Sequence, residues 1–121
     1  MRYDDFTQMP VYQKSLDLLV EVYSVVKTYP KDELYILVSD MKRAVNSISH
    51  NIAEGFGRFE AKDKIRFYKI SRGSSYELIS QLMASSRLKY ISSNKELELN
   101  SKIFEIINEL NPLIKTLEKN N

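Results

Sequence analysis

The chain has 121 residues, a formal net charge of +2 and no cysteine. This length suits one domain that buries about two thirds of the surface exposed by its unfolded chain. The absence of cysteine excludes disulfides and thiolate metal ligands. No apolar stretch approaches the roughly 20 residues that span a bilayer, and the chain does not begin with a signal-peptide pattern. We expect a single domain over residues 1–121 that is soluble and cytoplasmic, with no membrane partner.

The first two helices are separated by a proline. The first helix is predicted over residues 8–29, with Thr7 as its N-cap, and it ends before Pro30 because the residue preceding a proline disfavours helical backbone. The second is predicted over residues 33–57, with Asp32 as its N-cap. Glycines at its end are suited to a left-handed C-terminal turn.

Two longer helices complete the chain. The third is predicted over residues 61–90 and the fourth over residues 94–119, where Ser93 and Glu96 form a capping box. Pro112 is expected to kink the fourth helix. No segment alternates apolar and polar residues as a strand does. Four helices with short links predict an all-α fold, an antiparallel up-down-up-down four-helix bundle.

The second helix carries a polar row beside its apolar face. The apolar residues recur at heptad spacing and predict a core-facing side; they are Leu34, Val38, Met41, Val45, Ile48 and Ile52. The polar row, at spacings of three and four, consists of Asp40, Arg43, Ser47, Asn51, Glu54 and Arg58. A polar atom left buried without a partner costs about 1–3 kcal/mol. The row is therefore either a structural network that joins the second helix to the third or a binding surface.

The first helix has two adjacent apolar stripes, wider together than one helix–helix seam requires. The stripes are Tyr12, Leu16, Leu19, Tyr23 and Val26, and beside them Val11, Ser15, Leu18, Val22, Val25 and Tyr29. A deeply buried helix would account for this width. Alternatively, one stripe faces a second subunit, since contiguous exposed apolar surface usually marks an interface. We favour a homo-oligomer, with a subunit contact formed by Leu18, Val22 and Val25.

Basic residues are concentrated in the middle of the chain. Residues 42–89 contain ten Lys and Arg against four Asp and Glu. Lys62, Arg66 and Lys69 share a face of the predicted third helix. Such a face can follow a phosphate backbone while nearby aromatic rings stack on unpaired bases, although an ordinary solvated face is the alternative. The candidate nucleic-acid-binding residues are Lys62, Arg66, Lys69, Arg58 and Arg72.

Signatures of catalysis and metal binding are missing from the sequence. The only histidine, His50, has Ser47 three residues before it, where a bundle di-metal site would have Glu. Gly55 and Gly57 resemble the start of a dinucleotide-binding loop, but Glu60 stands in place of the third glycine. We predict that the protein is not an enzyme and has no catalytic residues, no metal site and no cofactor.

Several motifs together resemble one family. They are Ala44, Ser47-Ile48, Asn51-Ile52-Ala53-Glu54-Gly55, Gly57-Arg58, and Arg72-Gly73-Ser74 with Glu77. With the opening MPVYQKSLDLLVEVY and the turn YPKDE, they resemble the four helix bundle protein family, also called the 23S rRNA-intervening-sequence protein family. The resemblance covers nearly the whole chain. It implies a bacterial four-helix bundle that assembles as a ring-shaped homopentamer, in a family without an established molecular function.

The resemblance also groups polar residues into a signature network: Arg43, Ser47, Asn51, Glu54, Arg58, Ser74 and Glu77. The chain departs from the family at three positions, where Asp40, Ser49 and Glu60 stand in place of Gln, Pro and a capping Ser. A carboxylate only accepts hydrogen bonds, so Asp40 is expected to contact Arg43 or an arginine of a partner. Glu60 is expected to cap the third helix poorly.

The sequence leads to two hypotheses about function. The first is a non-catalytic oligomeric binding protein whose ligand is nucleic acid, RNA or DNA, held by the basic face of the third helix. The alternative is a protein-binding adaptor or assembly scaffold with no nucleic-acid role. Phosphate contacts make affinity fall steeply with salt, whereas an apolar protein interface does not, so salt dependence separates the two.

Overall fold

Four α-helices follow one another along the chain. The computed structural model describes residues 3–120, and its helices are α1 (Pro10–Val26), α2 (Ser39–Gly57), α3 (Ala61–Arg87) and α4 (Ser93–Lys119). Each helix packs against the next along the chain, most extensively α2 against α3, and α1 closes the bundle against α4. The predicted all-α, up-down-up-down four-helix bundle is confirmed.

The start of α1 differs from its prediction. A 3-10 turn, Phe6–Gln8, precedes the helix, and the Asp5 carboxylate accepts a hydrogen bond from the Thr7 backbone N–H at 2.7 Å. Thr7 is therefore a donor in the preceding turn and not the N-cap of α1. Pro10 occupies the first helical position, where its missing N–H costs nothing.

The entry into α2 is irregular. After Pro30, the residues Lys31–Glu33 form a 3-10 turn and Leu34–Val38 form a π-helical segment before regular α-helix begins at Ser39. Asp32 lies inside the turn and does not cap a helix. The prediction of one continuous helix from residue 33 was wrong, because apolar spacing marks a buried face without distinguishing an α-turn from a wider π-turn.

The end of α2 is closed by a lysine. No glycine in the described part of the chain has a positive φ, so the predicted left-handed turn is wrong. Instead the Lys64 ammonium donates to the carbonyl oxygens of Phe56 at 2.8 Å and Gly55 at 3.4 Å, in the last turn of α2, where carbonyl groups run out of partners within the helix. Burial lowers the pKa of Lys64. Glu60 occupies the N-cap of α3 without a side-chain bond, as expected for a poor cap.

The link between α3 and α4 is longer than predicted. α3 ends at Arg87, and Lys89 adopts a left-handed backbone with φ 67°. The N-cap of α4 is Ser92, one residue before the predicted cap, and its side chain accepts from the Lys95 N–H at 3.0 Å. The third residue after this cap is therefore Lys95 and not an acid, so no capping box forms. Pro112 lies within α4, which runs on to Lys119.

The core corrects the prediction for α1. Leu18 and Val22 are 1% and 0% exposed within a single subunit, so they cannot contact another one. Val25 is half-buried and packs against the same core. The two apolar stripes are wide because α1 packs against both α2 and α4. The assignment of Leu18 and Val22 to a subunit contact was wrong, and the deeply buried interpretation is right for these two residues.

Candidate nucleic-acid interface

Part of the polar row connects α2 to α3. The hydroxyl oxygens of Ser47 and Ser74 lie 2.7 Å apart and share a hydrogen bond. The Asn51 amide donates to the Ser47 carbonyl oxygen at 2.8 Å and to the Ser47 hydroxyl at 3.0 Å. The Ser47 hydroxyl thus accepts a hydrogen bond from Asn51 of its own helix and shares another with Ser74 of the next helix. These three residues form the structural network that the spacing predicted as one of two alternatives.

The charged members of the row pair within α2. Arg43 and Asp40 form an ion pair at 2.6 Å, which confirms the expected partner of Asp40. Arg58 and Glu54 form another at 2.9 Å. Each pair joins residues of one helix and lies at the surface, where such pairs stabilise by about 0.3–0.5 kcal/mol. They do not hold α2 against α3.

Two members of the signature region lie outside this network. Glu77 is exposed and, within residues 3–120, has no side-chain hydrogen bond or ion pair. A side chain at Gly73 would meet no atom within 4 Å, so Gly73 does not permit a close helix approach.

The closest α2–α3 contact involves residues that the spacing arguments missed. A Cβ at Gly55 would lie 2.7 Å from Cε1 of Tyr68, so only glycine fits beneath that ring. Tyr68 is buried, and burial raises its pKa to about 12. One turn along α3, the Ser71 hydroxyl donates to the Ile48 carbonyl oxygen at 2.8 Å. The signal was available in the apolar periodicity of α3, which includes Tyr68 and Ser71 on its buried side.

The predicted basic face divides into two parts. Lys62 and Arg66 extend into solvent at the start of α3. Lys69 instead lies 3.4 Å from the Glu118 carboxylate of α4. Arg72 also turns to α4, where it donates to Asn111 Oδ1 at 2.9 Å. Lys69 and Arg72 therefore bind neighbouring side chains, and the free part of the face is its first turn.

Two guanidinium groups converge on one aromatic ring. The Arg58 and Arg66 guanidinium carbons lie 4.7 Å and 4.9 Å from the centroid of Phe67. These are cation–π distances, and such contacts restrain long side chains that would otherwise be mobile. Arg58 is also held by Glu54, so its position is determined from two sides.

One aromatic side chain in this region is open to solvent. Phe59 is 93% exposed in the link between α2 and α3, next to Arg58 and close in sequence to Lys62. Phe56 is half-buried and Tyr68 is buried, so they cannot offer a free face. We call the surface formed by Arg58, Phe59, Lys62 and Arg66 the basic edge.

The remaining candidate chemistry is sparse. His50 is exposed beside an open depression of about 480 Å³ that Ala53, Glu54 and Gly57 also line. In the part of the chain that the structure describes, no three histidine or carboxylate side chains are grouped to hold a metal ion. No described helix is long and apolar enough to cross a membrane.

The fold and this surface define a small all-α bundle with a basic, aromatic edge at one end of its second and third helices. The chain matches the family model described as 23S rRNA-intervening sequence protein over residues 7–112. It therefore belongs to that family, as the sequence resemblance indicated. The family description names no enzymatic activity.

A solved structure has the same fold. It is the crystal structure of a protein with unknown function from the S23 ribosomal protein family of Bacteroides thetaiotaomicron. The superposition has a TM-score of 0.80 at 24% sequence identity and covers 87% of this chain and 95% of that chain. At this identity the likeness shows the fold alone. No curated protein matches the chain.

Proposed function

We propose that this protein is a non-catalytic nucleic-acid-binding protein that works as a homo-oligomer and holds its ligand at the basic edge. The observation that carries the proposal is the exposure of Phe59 next to Arg58, in the link that leads into the helix start bearing Lys62 and Arg66. Base stacking on an aromatic ring contributes about 1–3 kcal/mol per base, and lysine and arginine contact phosphates. A ring and cations side by side suit an unpaired nucleotide better than a duplex, whose bases are already stacked.

The exposed ring supports a single-stranded nucleic acid as the first ligand to test, because unpaired bases are free to stack on it. The cation–π contacts of Arg58 and Arg66 add to this support, since a guanidinium held in place loses less conformational entropy when it contacts a phosphate. The basic edge has few charges, so its affinity in a single subunit would be low. A homo-oligomer would present several copies and raise the affinity through multivalency.

The subunit contact is proposed on the outer face of α3 and α4. Four large apolar side chains are exposed there, two on each helix at a spacing of seven residues: Tyr76 and Met83, and Leu97 and Phe104. Tyr76 follows Arg72 by one turn, and Arg72 contacts α4, so this side of α3 borders α4. Exposed apolar surface of this kind usually marks an interface. The homopentamer implied by the family resemblance would use this face.

Fluorescence anisotropy with labelled RNA and DNA, single-stranded and duplex, tests the proposal at low and physiological salt. We expect the parent protein to bind single-stranded RNA at low salt and to lose affinity steeply as salt rises. Charge reversal at the basic edge, Lys62→Glu with Arg66→Glu, should abolish binding. The matched control is the double variant Lys115→Glu with Lys119→Glu on α4. It changes the net charge by the same amount and should retain most of the RNA binding.

Two results would contradict this proposal. The first is no binding by the parent protein at low salt, and the second is equal loss of binding in both double variants. Circular dichroism of both variants should show unchanged helix content, because surface substitutions usually change stability by less than about 0.5 kcal/mol. Either contradictory result would favour the adaptor or scaffold hypothesis.

A further inference from the structure

A second candidate site lies at the other end of α2. Where α1 ends and the π-helical segment begins, a pocket of about 250 Å³ is lined by Val26, Leu34 and Val38 and by three lysines, Lys27, Lys31 and Lys42. We call it the corner pocket. Since α2 has 19 residues, at 1.5 Å per residue the corner pocket and the basic edge are separated by about 28 Å along the helix.

The interior of the corner pocket is apolar. Val26 and Val38 are buried, as is Tyr29, which also lines the pocket. Pockets for drug-sized ligands usually measure about 300–1,000 Å³, so this one is better suited to a single large side chain. An aliphatic interior also disfavours a phosphate or a sugar, because burying such a polar group without hydrogen bonds is costly.

The charge around the corner pocket is positive. Three lysines and no acidic residue line it. The neighbouring acids are engaged elsewhere, because Glu33 accepts a hydrogen bond from the Tyr90 hydroxyl at 2.7 Å and Asp40 pairs with Arg43. Asp32 is the remaining acid of this corner and is exposed to solvent. The Lys42 ammonium lies 4.9 Å from the centroid of the Tyr23 ring, which restrains its position. Carboxylates are the complementary groups.

Part of the apolar lining of the corner pocket is exposed. Leu34, in the π-helical segment, lines the pocket and is 47% exposed. Tyr35 and Ile36 of the same segment are 88% and 63% exposed but do not line the pocket. Single π-turns are frequent at functional sites. Protein interfaces have an apolar centre, whereas aliphatic side chains gain little from a nucleic-acid backbone. The exposed apolar lining therefore favours a protein partner.

We infer that the corner pocket binds an acidic segment of a partner protein, which inserts one large apolar side chain while its carboxylates contact Lys27, Lys31 and Lys42. This inference does not depend on the basic edge, because the two sites share no residue. With both sites occupied, the protein joins a nucleic acid to a second protein through opposite ends of α2.

The probe for this site is a short fluorescein-labelled peptide of Asp, Glu and Ser around one central Phe, measured by fluorescence anisotropy. We expect saturable binding by the parent protein. Replacing the central Phe of the peptide with Ser should weaken binding about tenfold, which corresponds to the burial of one large apolar side chain. The double variant Lys27→Glu with Lys31→Glu should weaken binding of the Phe peptide at least as much. The control variant Lys115→Glu with Lys119→Glu should bind this peptide as the parent protein does.

Single-stranded RNA added in excess should leave the peptide bound, because the basic edge is distant from the corner pocket. Absence of saturable binding by the parent protein would overturn the inference. So would equal binding of the Phe and Ser peptides, which would mean that only charge is recognised. Displacement of the peptide by RNA would also overturn it, since the peptide would then occupy the basic edge. Loss of RNA binding in Lys62→Glu with Arg66→Glu, with peptide binding intact, would distinguish the two proposals.

Discussion

The seam between α2 and α3 and the seam between α1 and α4 are built on different physical principles. The α2–α3 seam has buried contacts: Tyr68 over Gly55, and the Ser71 hydroxyl on the Ile48 carbonyl. The α1–α4 seam is bridged at the surface by ion pairs, Lys14 with Glu109 at 2.5 Å and Lys102 with Glu21 at 2.7 Å. Beneath these pairs remains a small pocket of about 160 Å³.

This difference between buried packing and surface ion pairs predicts how much stability a substitution in each seam costs. Packed atoms cannot move aside, so small changes of volume in the α2–α3 seam should be costly. Surface ion pairs are screened by salt and exchange readily with water, so changes to the ion pairs of the α1–α4 seam should cost little. The basic edge is formed at the end of the rigid seam, which keeps Arg58 and Phe67 in a constant relation.

The largest expected effect is that of Gly55→Ala. The new Cβ would lie 2.7 Å from a ring carbon of buried Tyr68, and overpacking costs about 1–3 kcal/mol, more than the roughly 1 kcal/mol gained by replacing glycine in a helix. We expect a net loss of up to about 2 kcal/mol in the free energy of unfolding, measured by urea denaturation. Gly73→Ala is the matched control, because it meets open space and should stabilise by about 0.5–1 kcal/mol. Equal stabilisation by both changes would contradict the tight α2–α3 seam.

A smaller effect is expected for Ser71→Ala, which removes a buried hydrogen bond between helices. The expected loss in the free energy of unfolding is about 1 kcal/mol, typical for such a bond. Ser80→Ala, at an exposed position of the same helix, should change stability by less than about 0.5 kcal/mol. If the two variants have the same urea midpoint, the Ser71 bond does not hold α2 against α3.

The smallest effect is expected for Lys102→Ala in the α1–α4 seam. Loss of the pair with Glu21 should cost about 0.2–1 kcal/mol at low salt and less at high salt. The hydrogen bond that Lys102 donates to the Glu21 carboxylate raises the pKa of Lys102 above its usual 10.5. The stabilisation is therefore complete below pH 10.5 and is lost as the pH rises through the higher pKa of the folded state. A cost as large as that of Gly55→Ala, unchanged by salt, would show that this seam is not mainly electrostatic.

The helices were predictable because each one has a long apolar stripe. The ends of the helices were less predictable, because caps depend on local backbone geometry. The cap of α4, Ser92, was predicted one residue late. The π-helical segment Leu34–Val38 has no distinct apolar period. Apolar spacing also shows that a side chain is covered without showing what covers it. Leu18 and Val22 were therefore assigned to a second subunit although their own core buries them.

The candidate site was predicted in part, for a similar reason. Helical spacing placed Lys62, Arg66 and Lys69 on one face, but only the packing of α4 shows that Glu118 contacts Lys69. Phe59 was one of several aromatic residues near the basic segment, and the structure alone shows that it is 93% exposed. The Ser47–Ser74 bond required knowledge of the register between α2 and α3.

The measurement that tests the central proposal most directly is the affinity of Phe59→Ala for single-stranded and duplex RNA of the same sequence at low salt. Loss of one stacked base costs about 1–3 kcal/mol, so we expect about tenfold weaker binding to the single strand and little change for the duplex. Val20→Ala, which truncates an exposed apolar side chain on α1 outside the basic edge and the proposed subunit contact, should leave both affinities unchanged. Equal affinities of Phe59→Ala and the parent protein for single-stranded RNA would contradict the stacking role of Phe59 and the proposed nucleic-acid site.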